Sequence, residues 1–283
     1  MINKIVLMSG TDYFSDEYAI NPYMDNSIPV DIARAQAEHI AIRTALESAG
    51  VTVEQVPAPP NCQDGIYTAN WGLARGNKAV LSVLPNKRKG EEPYAREQLE
   101  QRGFEVIEPP FRFSGQGDSL PCGNLLFTGS NYRTDPKMHQ FLAETLGYKV
   151  IGLQTVPNLD AEGNPKINEI TGWPDSFFYD IDLALAVLTP NLVAWCPEAF
   201  TPDSQAKIRA LSLDKIEVDL TEATKGFACN LVSTGETVVM SAHAPLLKAA
   251  IEAKDLKIIT PEVTEIAKGG GYIRCTTLTL DNA

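Results

Sequence analysis

Chemistry is most legible near the C-terminal end of this sequence. There Lys268-Gly269-Gly270-Gly271-Tyr272-Ile273-Arg274-Cys275 sets a single cysteine ahead of the β-type run Thr276-Thr277-Leu278-Thr279-Leu280. Glycines lack a Cβ and so allow backbone angles and close approaches that other residues resist, while Arg274 puts a positive charge beside the sulfur. Both features suit a thiol that must ionise and be reached by another molecule. The same residues also fit an ordinary turn followed by a cysteine buried as a small hydrophobe, so the rest of the chain has to discriminate.

The other cysteines, Cys62, Cys122, Cys196 and Cys229, make an odd total of five, widely scattered and without CxxC spacing. That pattern indicates neither a disulfide framework nor a zinc site, and reduced thiols with no metal or cofactor are expected. A net charge of −12 argues against nucleic acid and anionic membranes as partners, because both would be repelled over most of the surface. No apolar run approaches membrane-spanning length and the N-terminus does not read as a secretory signal, so a cytoplasmic protein is expected. The 283 residues, 44% of them hydrophobic, suffice for one full core, and no linker-like stretch divides them. A single domain over 1–283 follows.

The elements that must position the cysteine recur as a unit. Asp31 to Ala49 carries apolar residues at helical spacing, ends at Gly50 and runs into the strand-like Val51 to Val56. The phrase returns at Tyr94 to Gln101 with Phe104 to Ile107, and at Lys137 to Leu146 with Tyr148 to Ile151. It returns again at Asp203 to Leu211 with Lys215 to Val218, and at Pro245 to Ala253 with Leu256 to Ile259. Hairpin-like pairs separate these phrases at Gly65 to Leu84, Asp118 to Gly129, Asp182 to Cys196 and Ala228 to Ser241. Strand, strand, helix, strand units repeated every roughly fifty residues suit a closed ring, since each alone would leave an apolar face uncovered. A doubly wound sheet would need single strands between helices. The expected fold is therefore α/β, a five-bladed αβ-propeller whose pore gathers residues distant in sequence around one small ligand.

Several motifs carry a family resemblance along the chain. Tyr18-Ala19-Ile20-Asn21-Pro22-Tyr23-Met24, Gln63-Asp64-Gly65-Ile66-Tyr67-Thr68-Ala69-Asn70, Asn131-Tyr132-Arg133-Thr134-Asp135, Phe227-Ala228-Cys229-Asn230 and the glycine-led cysteine resemble, in order, the guanidino-group-modifying penteins. The nearest branch is the dimethylarginine dimethylaminohydrolase-like and arginine dihydrolase-like proteins, with amidinotransferases further off. The resemblance implies an αβ-propeller in which a cysteine thiolate attacks a guanidinium carbon.

On that basis Cys275 is the expected nucleophile. Asn21, Asp64 and Asp118 match substrate-site positions, and Arg88 and Arg133 match positions that pair with a substrate α-carboxylate through the arginine fork. On residues alone, Arg88 reads equally as part of a solvated charge run, and Cys229 and Asn230 read as structural. Three positions depart from the family pattern. The family's Phe-Tyr-His-Leu-Asp, whose histidine is the acid and base, is here Phe178-Tyr179-Asp180-Ile181-Asp182; Ser114 and Gln116 stand in a segment usually carrying glutamate; and Asn70 stands where many guanidine deiminases have aspartate. An aspartate near its normal pKa of ~4 is a poor acid at neutral pH, and losing acid–base help typically costs ~10²–10⁴ in rate. Burial beside Asp182 would raise the pKa of Asp180 and restore the function. His39 and His139 are expected on helix surfaces, and His243, at a helix start, is expected away from the site.

The expectation is a cysteine-dependent hydrolase of arginine or a related guanidino or amidine compound, working through a covalent thiouronium on Cys275 with Asp180 and Asp182 as its acid–base groups. An amidinotransferase with an amine acceptor and a weakened pentein that only binds an amino acid or a protein are the alternatives. The expected partner is a small guanidino amino acid; whether the chain forms a homo-oligomer is left open.

Overall fold

The computed structural model describes residues 1–25 and 27–283. Five three-stranded sheets are present, each with an antiparallel pair followed by a helical crossover to a parallel third strand. In the second unit, β3 (Gly72–Arg75) pairs antiparallel with β4 (Lys78–Leu81), and α2 (Glu91–Gln101) returns the chain to β5 (Glu105–Ile107), parallel to β4. The third unit repeats this with β6 (Ser119–Cys122), β7 (Leu125–Thr128), α3 (Met138–Leu146) and β8 (Lys149–Gly152). The fourth uses β9 (Leu185–Thr189), β10 (Leu192–Trp195), α4 (Pro202–Arg209) and β11 (Asp214–Glu217). A short α5 (Leu220–Lys225), not expected from sequence, leads to the fifth unit of β12 (Val232–Ser233), β13 (Thr237–Val239), α6 (Pro245–Glu252) and β14 (Lys257–Ile259).

The first unit joins the two ends of the chain. β1 (Ile5–Ser9) pairs parallel with β2 (Thr52–Val56) across α1 (Ile32–Ser48), and antiparallel with β15 (Leu278–Thr279). Of the expected run from Thr276 to Leu280, only Leu278 and Thr279 enter the ladder; Thr276 and Thr277 remain in the turn that carries Cys275. β9 packs against both β6 and β12, and β15 against β3, so the first strands of the units gather at the centre. The five-bladed αβ-propeller is thus the fold.

Local chemistry explains the helix limits. Asp31 caps α1 by accepting from the Arg34 amide at 3.1 Å, and the helix buries Ala35, Ile42, Ala45 and Leu46 on one face. Helix α2 starts at Glu91, three residues ahead of the expected Tyr94, because Glu91 and Glu92 suit the positive helix end and Pro93 is tolerated in a first turn. His39 is not a surface residue: it is buried in α1, and burial pushes its pKa down to about 4, so it stays neutral. No helix among the described residues is long and apolar enough to cross a membrane.

Candidate active site

Each unit enters its first strand through a tight turn, and these turns bring the chemistry together. Asn70 lies in the turn Thr68–Trp71 before β3, and Gln116 in the turn Gly115–Gly117, with Asp118 following it into β6. Asp180 and Asp182 flank Ile181 before β9, Asn230 precedes β12, and Cys275 precedes β15. Because the first strands converge, residues 158 positions apart touch here: Arg274 donates to Gln116 at 2.9 Å.

The Cys275 sulfur sits between Asp182 Oδ2 at 3.2 Å and Asn230 Nδ2 at 3.1 Å, while Asn230 Oδ1 accepts the Cys275 backbone N–H at 3.2 Å. Asn230 is therefore a direct partner of the sulfur as well as a brace for its turn, beyond the structural role read from sequence. Burial, then Asp182, then Asp180 push the Cys275 thiol well above its usual pKa, and the thiol donates to Asp182. Arg274 supplies none of the sulfur's hydrogen bonds: it turns to Thr277, Thr279 and Gln116, and its charge is disfavoured chiefly by its own burial. The Arg274 charge still interacts with Asp182 and Cys275, but without a hydrogen bond to the sulfur, because adjacent residues of a turn need not point the same way.

A narrow pocket with only about 10 Å³ of internal space reaches Cys275. Of the residues expected at the site, Asn21, Asp64, Asn70, Arg88 and Arg133 line it together with Cys275; Ile20, Tyr67, Tyr179, Gly269 and Gly271 complete it. The glycines are required by close approach. A Cβ on Gly269 would overlap the Tyr67 hydroxyl, and one on Gly270 would overlap the Asn21 amide. Tyr67 donates to Ile266 O at 2.7 Å, Tyr179 to Gly270 O at 2.6 Å and Asn21 to Gly269 O at 3.0 Å, so three side chains pin the glycine segment over the thiol. Arg133 lies over the Tyr179 ring at 4.3 Å and donates to Ile20 O at 2.8 Å, tying the segment around Ile20 to the pocket.

Behind this lining stand three buried aspartates. Asp118 accepts from the Ile181 amide at 2.9 Å, and Asp180 accepts from Asn70 Nδ2 at 2.7 Å. Burial and mutual repulsion push Asp118 and Asp182 well above the carboxylate range. Asp180 is also raised, by burial; Arg133, Asn70, Ser114 and Arg88 oppose the rise. The direction agrees with the sequence reading, but burial is the leading cause, and it is Asp180 that raises Asp182. Asp64 is pushed up to about 7, mainly by burial. The Oδ1 atoms of Asp64, Asp180 and Asp182 are buried without a hydrogen-bond partner among the described residues. Gln116 faces away from the pocket, bracing Thr279 through its amide at 2.8 Å and accepting from Arg274.

Arg88 is not part of a solvated charge run. It is buried and forms a two-pronged pair with Glu91, Nε to Oε1 and Nη2 to Oε2, both at 2.7 Å. His243 is exposed and lines a different depression, and His139 is half-buried against Gly129, so neither reaches the pocket. Tyr67 and Tyr179 lie inside the recognised motifs, but residue type does not single them out; Glu91 falls ahead of the helix start expected at Tyr94. Among the described residues no group of His, Cys, Asp and Glu is arranged to hold a metal ion.

Comparisons with known proteins bear on the family and the fold. The family profile described as N,N dimethylarginine dimethylhydrolase, eukaryotic, matches residues 13–281. A dimethylarginine dimethylaminohydrolase of Mycobacterium tuberculosis is 31% identical over 96% of this chain and 84% of its own length. The bifunctional arginine dihydrolase/ornithine cyclodeaminase AgrE of Nostoc is 29% identical over 96% of this chain, which spans only 37% of that protein. Among solved structures, the product-bound N-terminal domain of the cyanobacterial arginine dihydrolase ArgZ superposes with a TM-score of 0.87 at 27% identity, covering 98% of this chain and 97% of that one. A variant of the same domain, covalently bound to a reaction intermediate, gives 0.87 at 26%. With the profile covering nearly the whole chain, the protein belongs to the dimethylarginine dimethylhydrolase family.

Proposed function

We propose that this protein hydrolyses a C–N bond of arginine or a closely related guanidino compound through a covalent adduct on Cys275. The observation that carries the reading is the sulfur at the pocket, held between a carboxylate acceptor, Asp182 at 3.2 Å, and an amide donor, Asn230 at 3.1 Å. A guanidinium offers five N–H donors, which suits the unpartnered carboxylate oxygen of Asp64 in the same pocket. Arg133, at the pocket wall, suits the α-carboxylate.

The steps follow from these groups. A bound cation offsets the negative surroundings that keep Cys275 protonated, and the thiol proton passes to Asp182. The thiolate, with Asn230 donating to it, attacks the guanidinium carbon and forms the C–S bond. The C–N bond to the departing amine then breaks as a protonated carboxyl of the Asp180/Asp182 pair delivers its proton, leaving a thiouronium on Cys275. Water, deprotonated by the carboxylate so formed, attacks the same carbon; the C–S bond breaks, the ureido product gives up its remaining O–H proton to the released amine, and Asp182 returns its proton to the thiolate. In this scheme Asp180 takes the acid role because burial holds it above the normal aspartate range. The retained contacts to the sulfur favour an enzyme over a weakened binding protein.

The test is intact-protein mass spectrometry and amine release with arginine and its N-methylated and shortened relatives. Turnover is expected with at least one of them, with a transient adduct mapped to Cys275 and both lost in Cys275→Ala. Turnover that persists in Cys275→Ala would overturn the thiolate route.

A further inference from the structure

A second cavity lies on the other side of the Cys275 segment and shares no lining residue with the substrate pocket. It holds about 160 Å³ of internal space and runs along β6 and β9, away from the turns that carry the aspartates, to a mouth at the exposed hairpin turns of Gly123 and Pro190. Leu120, Leu185, Val187, Leu231 and Cys229 form apolar walls, and the Arg274 guanidinium lines it from a buried position, 5% exposed. Among the described residues the hydrogen-bond partners of Arg274 are all neutral. Nη1 donates to the Thr277 and Thr279 hydroxyls at 3.3 and 3.0 Å, and Nη2 to Gln116 Oε1 at 2.9 Å. The Nε N–H and one Nη2 N–H are left over. Asp281, the acidic side chain of the lining, accepts instead from the Lys4 and Ile5 amides at 3.2 and 3.1 Å.

A buried charge without a counter-charge is costly, and burial is what chiefly disfavours this one. An anion entering from the mouth supplies the counter-charge, and two spare N–H donors match the two oxygens of a carboxylate. The walls match a short hydrocarbon tail, since an apolar cavity of ~150 Å³ takes a molecule the size of benzene. A phosphate would set further oxygens against leucine and valine with no donor to meet them. We propose that this cavity is a binding site for a small aliphatic monocarboxylate, seated on Arg274, and that the bound anion inhibits the Cys275 thiol. Binding stands apart from the hydrolase reading; only the meaning of the inhibition rests on it. The sign of the effect follows from the charges. Arg274 favours the ionised forms of Asp182 and Cys275, which favour its own charge in return. The other ionisable groups around the sulfur, Asp180 and Asp182 ahead of β9 and the Tyr23, Tyr67 and Tyr179 hydroxyls, do not line this cavity. A carboxylate on Arg274 offsets its charge, so Asp182 and the thiol hold their protons more firmly and less thiolate forms. By reciprocity, ionising Cys275 weakens the carboxylate by the same factor.

Butyrate is the probe, with butyramide as its neutral counterpart. In calorimetric titrations the affinity should rise about fourfold per methylene from acetate to butyrate, as burial of each CH₂ predicts, and butyramide should not bind. Val187→Phe fills the cavity from a strand position outside the substrate pocket; it should abolish butyrate binding and leave turnover without butyrate unchanged. Arg274→Gln removes the charge and keeps an amide, and it too should lose butyrate, which keeps the proposal testable if the phenylalanine variant does not fold. Arg133→Gln, in the substrate pocket, should bind butyrate as the parent does. Saturating butyrate should slow alkylation of Cys275 by iodoacetamide on the order of tenfold, read by peptide mass spectrometry, and Val187→Phe should remove that protection. Neither readout needs turnover, so failure here is distinct from failure of the hydrolase reading. Butyrate binding that survives Val187→Phe or Arg274→Gln, or that disappears in Arg133→Gln, would place the anion elsewhere and overturn the proposal. So would equal binding of butyramide, or an alkylation rate indifferent to butyrate.

Discussion

Asp64 should make substrate recognition pH-dependent and the empty protein less stable than it could be. Its carboxyl lines the pocket, has an unpartnered Oδ1, and is raised from 3.8 to about 7, chiefly by burial. At ~1.36 kcal/mol per pH unit, that rise corresponds to a stability penalty on the order of 4 kcal/mol once the group is fully ionised. The folded value lies above the unfolded one, so the favourable contribution is complete below pH ~4 and is lost as pH rises through ~7. Asp64→Asn cannot ionise, so at pH ~8 the unliganded variant should be more stable than the parent by up to ~4 kcal/mol, several degrees in Tm, while at pH ~4 the two should coincide. Binding should show the opposite ranking. In a Cys275→Ala background, arginine affinity should rise about tenfold per pH unit below ~7 and level off above it; Asp64→Asn should remove that slope and bind weakly throughout. Thermal melts and calorimetric titrations from about pH 4 to 8.5 read both halves. A variant no more stable than the parent at pH ~8, or an affinity that stays flat below pH 7, would refute the reasoning.

Two further outcomes follow from contacts around the thiol. Asn230→Ala removes the Nδ2 donor 3.1 Å from the sulfur; a hydrogen bond to a charged group contributes about 1.5–3 kcal/mol, so kcat should fall by ~10–100-fold with KM little changed, and steady-state kinetics showing no loss would deny that the amide supports the thiolate. Gly271→Ala drives a methyl into the Tyr67 ring and places it 2.9 Å from Cys275 Cβ; overpacking of this kind costs about 1–3 kcal/mol, and melting and turnover should drop together, whereas an unchanged melt would show that the segment has slack.

Much of the ring was legible because its units are written locally. Helical spacing from Asp31 to Ala49 followed by the strand to Val56, and the four later copies, depend on neighbours in sequence, and they occur as α1 with β2 and their counterparts. Local pattern could not show the fifth antiparallel pair, since β1 and β15 come from opposite ends of the chain and are joined through registers such as Leu7 with Leu278. The site divides in the same way. Cys275 was legible from its glycines, and Asp64, Asn70 and Arg133 from their motifs, and all four meet at one pocket. The direction of Arg274, the pairing of Arg88 with Glu91 and the contact of Asn230 with the sulfur were not, because residue type and position do not say where a side chain points once the turns converge.

The chemical inventory is written in the chain: one cysteine led by glycines, the acids and amides ahead of each first strand, and Asp180 at the position of the family histidine. What those groups become in place depends on the closed ring. Closing the ring buries Asp118, Asp180 and Asp182 together, and burial and mutual repulsion, which no stretch of sequence contains, push Asp118 and Asp182 well above the carboxylate range. Asp180 is raised by burial too, against the opposing pull of Arg133, Asn70, Ser114 and Arg88, and that balance exists only once the ring has closed around it.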